Sequence, residues 1–361
     1  MSLLGPALVA LVLALPGDPP DEQPAAEKSI QTRESVSVTD EGSSAAGLRT
    51  PGSQWGNLLL LQSSFACKWK DRLRFSSNLA AFARTEDETH AQLRWRETYI
   101  GLSAGELDFT VGKRLQRWGT GYAFTATGIL DPPRIAADPT DRLSLNEGRE
   151  LVQADWIHSG HAFNLVWASA GLLERHRPGM RETGAFRYNV LIGGFDTSAI
   201  VAYDRDGPAF AGANFTRVLG QAIEVHSELA WREGAAVLLG GKYTHASGVT
   251  VIAEIYTPPN TAYYRPTGMP PSVGRQHYVY LRMSKSRLRE LPGWKEWDVA
   301  LSLVANVDDG SHVAVCDAGR RVGNHLYAYM HTEAPAGKRS ASQYGMIPYS
   351  ALISIGVRLQ M

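Results

Sequence analysis

The chain has 361 residues, and its 36 basic and 36 acidic side chains cancel, which argues against nucleic-acid binding, where a basic surplus is the usual footprint. Two cysteines, Cys67 and Cys316, exclude a disulfide framework and a Cys-type zinc site. They fall in predicted strands far apart in sequence and read as two separate thiols, with a bridge open only if a barrel closes near them.

Leu3 to Pro16 is apolar but shorter than the ~20 residues a helical span needs, and it reads as a secretory signal core whose n-region lacks Lys and Arg. Gly17 to Glu27, rich in Pro, Asp and Glu, reads as a disordered linker. The expected organisation is therefore signal and linker over 1–27 and one barrel domain over 28–361. No other apolar run reaches spanning length, so any insertion into lipid must be by strands closed into a barrel.

Beyond the linker, apolar and polar residues alternate with a period of two. In Arg72 to Arg84 the residues Leu73, Phe75, Leu79, Ala81 and Ala83 share one face, while Arg72, Arg74, Ser76, Asn78 and Arg84 share the other. The pattern predicts strands at 30–39 (a weak segment), 54–68, 71–84, 91–102, 107–117, 149–159, 161–171, 184–192, 197–204, 208–218, 221–232, 235–246, 248–257, 276–286, 295–305, 311–317, 323–333 and 349–361. That is eighteen antiparallel strands, with sixteen as the fallback, many close to the ~9–11 residues a tilted membrane strand needs.

The connections alternate in length. Lys68 to Asp71, Ser103 to Glu106, His158 to His161, Val218 to Gln221 and Ala246 to Gly248 are short, whereas Thr85 to His90, 118–148, 172–183 and the Pro-rich 258–275 are longer. Short periplasmic turns and longer outer loops mark an outer-membrane barrel. With both termini on the periplasmic side, this phase requires a strand before Gln54, and it weakens at Arg287 to Trp294.

Ile223, Val225, Leu229 and Trp231 form one lipid-compatible face; Val249, Val251, Ala253 and Ile255 form another, and Trp297, Val299, Leu301 and Leu303 a third. Trp55, Trp95, Trp156, Trp231 and Trp297, near strand ends, suit interfacial girdles. In the last strand Tyr349, Ala351, Ile353, Ile355, Val357, Leu359 and Met361 alternate with Ser350, Ser354, Gly356, Arg358 and Gln360. This resembles the C-terminal insertion signal of bacterial outer-membrane proteins, with Met361 in place of the usual aromatic residue.

The opposite faces are polar. Arg72, Arg74, Arg84, Arg94, Arg96 and Arg114 would form a pore-lining basic wall, and Glu224, Glu228 and Glu254, with His226 beside them, an acidic stretch. Separated charge walls set up a transverse field that selects permeants. A second reading keeps these residues as Arg–carboxylate pairs filling a narrow barrel. Glu97 breaks the register and faces lipid unless a bulge turns it inward.

The run Gly112-Lys113-Arg114-Leu115-Gln116-Arg117-Trp118-Gly119-Thr120-Gly121-Tyr122 opens a long loop that passes through Asp131-Pro132-Pro133 and Asp138-Pro139-Thr140-Asp141 to Glu147-Gly148-Arg149. A loop of this length is functional or disordered. It is read as a fold-in constriction carrying Trp118, Gly119, Tyr122, Asp131, Asp138 and Asp141, with an ordinary surface loop and a calcium site at the three aspartates as alternatives. The strand ending in this run, followed by an Asp-Pro loop and Glu147-Gly148, resembles bacterial porin-like outer-membrane barrels, including the alginate-export-like ones. The likeness covers about forty residues closely. Arg114 stands where those families often have Gln, and Ala126-Thr127 where they often have Asn-Pro.

Several enzyme fingerprints are missing: there is no His-Glu-x-x-His, no P-loop and no dinucleotide motif, and His158-Ser159-Gly160-His161 reads as a polar hairpin turn. The expectation is a bacterial outer-membrane channel without cofactor or metal, surrounded by lipid, that passes small polar or anionic solutes and does not bind nucleic acid. The alternative is a non-conducting barrel with a structural, adhesion or assembly role.

Overall fold

A computed structural model describes residues 30–47, 55–70, 72–85, 89–171, 181–205, 207–259, 277–288, 293–339 and 342–361. The expected signal core and linker lie outside the described residues, as do Gln54, Asp71 and most of 172–183 and 258–275. The strands are β1 (Ile30–Ala46), β2 (Trp55–Trp69), β3 (Leu73–Thr85), β4 (Thr89–Ala104), β5 (Leu107–Arg114), β6 (Arg149–His158), β7 (His161–Ala168), β8 (Thr183–Ile192), β9 (Phe195–Asp204), β10 (Ala209–Leu219), β11 (Ile223–Trp231), β12 (Ala235–Thr244), β13 (Val249–Thr257), β14 (Tyr278–Lys285), β15 (Trp297–Asn306), β16 (His312–Val322), β17 (Leu326–Ala336) and β18 (Ala351–Gln360). Each pairs antiparallel with its sequence neighbours, and β1 pairs with both β2 and β18, so the sheet closes as an 18-stranded barrel without an edge. Eighteen strands stand, and the sixteen-strand fallback falls.

The period-two rule explains the outer surface. Leu73, Ile223, Leu229, Trp231, Ile255, Leu301, Leu303, Ile353, Ile355 and Val357 are exposed, while their inward neighbours His226, Glu228, Glu254, Ser302 and Ser354 are buried. An outward apolar band is the surface that a barrel presents to lipid. Trp55, Trp95, Trp156 and Trp231 are exposed with it. Cys67 and Cys316 are free thiols on strands separated by β1, β18 and β17.

Several boundaries differ from the alternation pattern, each for a local reason. The weak first segment is a strand of 17 residues, Ile30–Ala46. Asp40-Glu41-Gly42-Ser43-Ser44 shows no alternation, but its backbone is laddered on both sides, to Leu59 through Trp55 and to Val357 through Ile353. β16 continues past 317 to Val322 because Gly319 leaves room for the Tyr327 ring, with which a Cβ would collide. Gly356 does the same for Tyr329. Tyr349 is not part of the outward apolar row: it precedes β18, and its hydroxyl donates to Glu333 at 2.7 Å.

A register shift between Asn78 and Leu79 sets Glu97 opposite Asn78 and Trp95 opposite Leu79, leaving Arg96 as an extra residue in β4. This bulge turns both Arg96 and Glu97 inward. Glu97 accepts the backbone N–H of Leu115 at 2.9 Å, so the side chain that broke the alternation is a luminal acceptor.

Placing a cation in the apolar band is expected to destabilise the barrel. Ile355→Arg, at a residue 61% exposed, should lower folding stability in lipid vesicles by about 2–4 kcal/mol, read from urea titration of heat-modifiable migration.

Candidate functional site

The segment between β5 and β6, residues 115–148, folds into the barrel and crosses it as a strap. Its first half docks on β10 to β14. Trp118, Phe124 and Leu130 are at most 3% exposed and form a core with inward-facing Phe210, Leu238, Tyr256 and Tyr278. Phe124 stacks on Tyr256 with ring centroids 5.1 Å apart. Burying such side chains is worth about 1.5–3 kcal/mol each. The lumen is therefore apolar on this side, contrary to the expectation of a uniformly polar inner face.

Two carboxylates hold the strap backbone. Glu228 on β11 accepts N–H groups of Thr120 at 2.5 Å, Gly121 at 2.8 Å, Ala126 at 2.6 Å and Thr127 at 2.7 Å. The hydroxyls of Thr120, Thr125 and Thr127 donate to it as well. Glu254 on β13 accepts the N–H groups of Tyr122, of Ala123 at 2.8 Å and of Phe124 at 3.3 Å. His226 Nε2 lies 3.0 Å from the same carboxylate. Both glutamates are at most 1% exposed. A carboxylate stripped of water needs such donors, and charge-assisted bonds to backbone N–H supply them.

The Trp-Gly-Thr-Gly-Tyr run explains how the backbone comes so close. A Cβ on Gly119 would strike the Thr125 side chain, and one on Gly121 would strike the Phe124 carbonyl and Leu238. Glycine at both positions lets a tight chain present its amides to one acceptor.

The aspartates predicted for the loop brace it internally. Asp131 accepts the Trp118 N–H at 2.6 Å and pairs with Arg134 at 2.9 Å, and burial raises its carboxyl above the ordinary range against the pull of Arg134. Arg134 in turn donates to the carbonyls of Gly119, Gly121 and Phe124. Asp138 accepts the Arg142 N–H at 3.1 Å, and Asp141 those of Leu145 at 2.7 Å and Asn146 at 3.0 Å. Among the described residues no group of three or more His, Cys, Asp or Glu is placed to hold a metal ion, and each of the three aspartates is instead engaged by backbone N–H groups of the strap, Asp131 also by Arg134.

The far half of the strap reaches the opposite wall. Arg142 pairs with Glu41 on β1, which also accepts the Tyr329 hydroxyl at 2.7 Å. Arg358 on β18 donates to the Arg142 carbonyl at 2.6 Å, and Gln62 on β2 to those of Leu143 and Ser144 at 3.1 Å. The surface-loop reading falls with these anchors.

The predicted basic residues are scattered along the axis. Arg72 stands exposed in the β2–β3 turn and Arg84 near the opposite end of β3. Between them Arg74 lies 3.4 Å from Asp108, Arg94 3.3 Å from Glu147, and Arg96 3.9 Å from Asp141, with Nε donating to the Asn146 carbonyl. Arg114 lies over the Tyr99 ring. This wall is thus interlaced with carboxylates rather than set opposite them. On the acidic side, Glu228 and Glu254 are enclosed by the strap, while Glu224, near the short-turn end of β11, pairs with Lys242 at 3.0 Å and accepts the Tyr122 hydroxyl at 2.9 Å.

Open space remains on the other flank of the strap. A polar cavity of about 410 Å³ lies between Thr140–Ser144 and β14 to β18. Arg142, Arg282 and Arg358 line it together with Asp298, Asp317 and Tyr327. Alternation placed Arg358 on the inner face, whereas Arg282 was not singled out. Its signal is an arginine on the polar face of an otherwise apolar Tyr-Val-Tyr-Leu-Arg-Met strand.

No protein-family model matches the chain, and no curated protein matches it in sequence. Solved structures match its fold. Pseudomonas aeruginosa OccK11 (OpdR) is similar at a TM-score of 0.62 and 10% identity, over 91% of this chain and 96% of that one. A BenF-like porin from Pseudomonas fluorescens Pf-5 aligns at 0.59 and 6% identity, over 91% and 98%. Pseudomonas aeruginosa OprD aligns at 0.58 and 9%, over 91% and 95%. These likenesses show the fold, a closed antiparallel barrel, and give no support to the alginate-export-like comparison.

Removing a strap anchor should leave the barrel and free the strap. Glu228→Ala strands several buried N–H groups at a cost of about 3–5 kcal/mol. Limited proteolysis should then cut within 118–134 while heat-modifiable migration persists.

Proposed function

We propose that this chain is a bacterial outer-membrane channel, porin-like and non-enzymatic, that passes small polar or anionic solutes passively past its internal strap. The observation that carries this reading is the polar cavity of about 410 Å³ beside the strap, lined by Arg142, Arg282 and Arg358, each held by a partner: Arg142 by Glu41, Arg282 by Asp317, and Arg358 by Thr39. A closed barrel with an apolar outer band suits lipid, and porin-type structures of the same fold support a channel.

In this reading the strap is the constriction. Its Trp118 and Tyr122 hold it to one wall, Gly119 and Asp131 brace its turn from within, and Asp138 and Asp141 shape the part that borders the passage. Arg74, Arg94, Arg96 and Arg114 add positive potential on the adjoining wall, each softened by the carboxylate or ring it touches. A solute would pass between the strap and the β14–β18 wall, exchanging hydration for contacts with arginine and tyrosine side chains. Lipid and permeant solute are then the partners.

Purified protein in planar bilayers is expected to show steady conductance with anion preference. Arg282→Glu with Arg358→Glu should move selectivity toward cations, and Arg74→Glu with Arg96→Glu should move it less. A protein that folds but never conducts would instead be a structural, adhesion or assembly barrel.

A further inference from the structure

One position on the outer surface breaks the apolar band. Asp40 on β1 is exposed and faces outward, opposite Leu59 on β2 and Val357 on β18. Val357 belongs to the outward row with Ile353 and Ile355, all exposed, so Asp40 lies level with side chains that meet lipid. Among the described residues its carboxylate accepts from Asn57, whose Nδ2 donates at 3.0 Å from the same outer face of β2. Glu34, on the same face of β1, lies beyond Met361 and thus past the end of β18.

Lipid tails offer no donor, and a carboxylate held among them is costly and marks a functional position. A protein surface can supply what lipid cannot. The residues around Asp40 suit close approach: Gly42 and Ser44 continue its row, and a Cβ added to Gly42 would meet nothing within 4 Å. Small residues at a membrane interface let two backbones draw together around polar contacts.

We infer that the outer face of β1 and β2, centred on Asp40 and Asn57, is a membrane-embedded interface with a second copy of this chain. The pair is self-complementary. Asn57 retains an amide hydrogen and its carbonyl oxygen, and Asp40 retains an oxygen, so each copy offers the donor and acceptor the other lacks. A two-fold axis along the membrane normal brings like surfaces together with both copies inserted in the same sense. This assignment is independent of whether the lumen conducts.

The test uses the full chain in outer membranes, with Cys67 and Cys316 changed to Ser. Gly42→Cys is expected to give an oxidant-dependent disulfide dimer of twice the chain mass, and Ala253→Cys, outward on β13, none. Native mass spectrometry in mild detergent should show dimers that Asp40→Leu weakens about ten-fold, with heat-modifiable migration verifying folding and Asp40→Ala standing in if the leucine variant does not fold. The inference is overturned if Gly42→Cys yields no dimer, if the product has the mass of a different protein, or if dimers persist unchanged after loss of the Asp40 charge.

Discussion

Two carboxylates inside a barrel, each satisfied by backbone amides of one loop, organise everything else in this molecule. Glu228 and Glu254 face inward because strand side chains alternate, and once enclosed they must find donors or remain at high free energy. The strap supplies those donors from glycine-rich backbone, so its inward fold is a requirement of charge compensation as much as of apolar burial. The loop gains a scaffold for amides that would otherwise need water, and the glutamates gain a shell of N–H groups.

From this follows the division of the lumen. Docking on β10 to β14 fills that flank with Trp118, Phe124 and Leu130, whereas the far end is held by polar contacts to Glu41, Gln62 and Arg358. The space left over is bounded by arginine, aspartate and tyrosine. Glycines at 319 and 356 let Tyr327 and Tyr329 lie flat beneath it. The bulge at Arg96 contributes on the other wall, turning two consecutive side chains inward, Glu97 to the start of the strap and Arg96 to its return.

In the channel proposed above, a paired interior and a selective interior are not alternatives. Arg74, Arg94 and Arg96 have carboxylate neighbours 3.3 to 3.9 Å away, which hold their positions and reduce their net field. Arg282 is held in the same way, 3.8 Å from Asp317, and Arg358 donates to Thr39 and to the Arg142 carbonyl, yet both side chains also border open volume. Fixed charge near low-dielectric walls then acts on whatever occupies that volume.

Alternation between the two faces of a strand is a property of adjacent residues, and so the strands, their number, the outward apolar rows and the location of the long loop were all legible in the chain. Glu97 was legible even as an anomaly, because only a bulge reconciles it with its neighbours. The extent of β1 was not, since Asp40 to Ser44 carries no period and becomes strand through ladders on both sides. Nor were the roles of Glu228 and Glu254, which read as pore-lining acids until the strap was seen around them. Their partners lie 101 to 132 residues away, and no local pattern reports a contact made across a lumen. Local sterics set the strands, but closure of the barrel and the need to solvate buried charge decided which residues meet inside it.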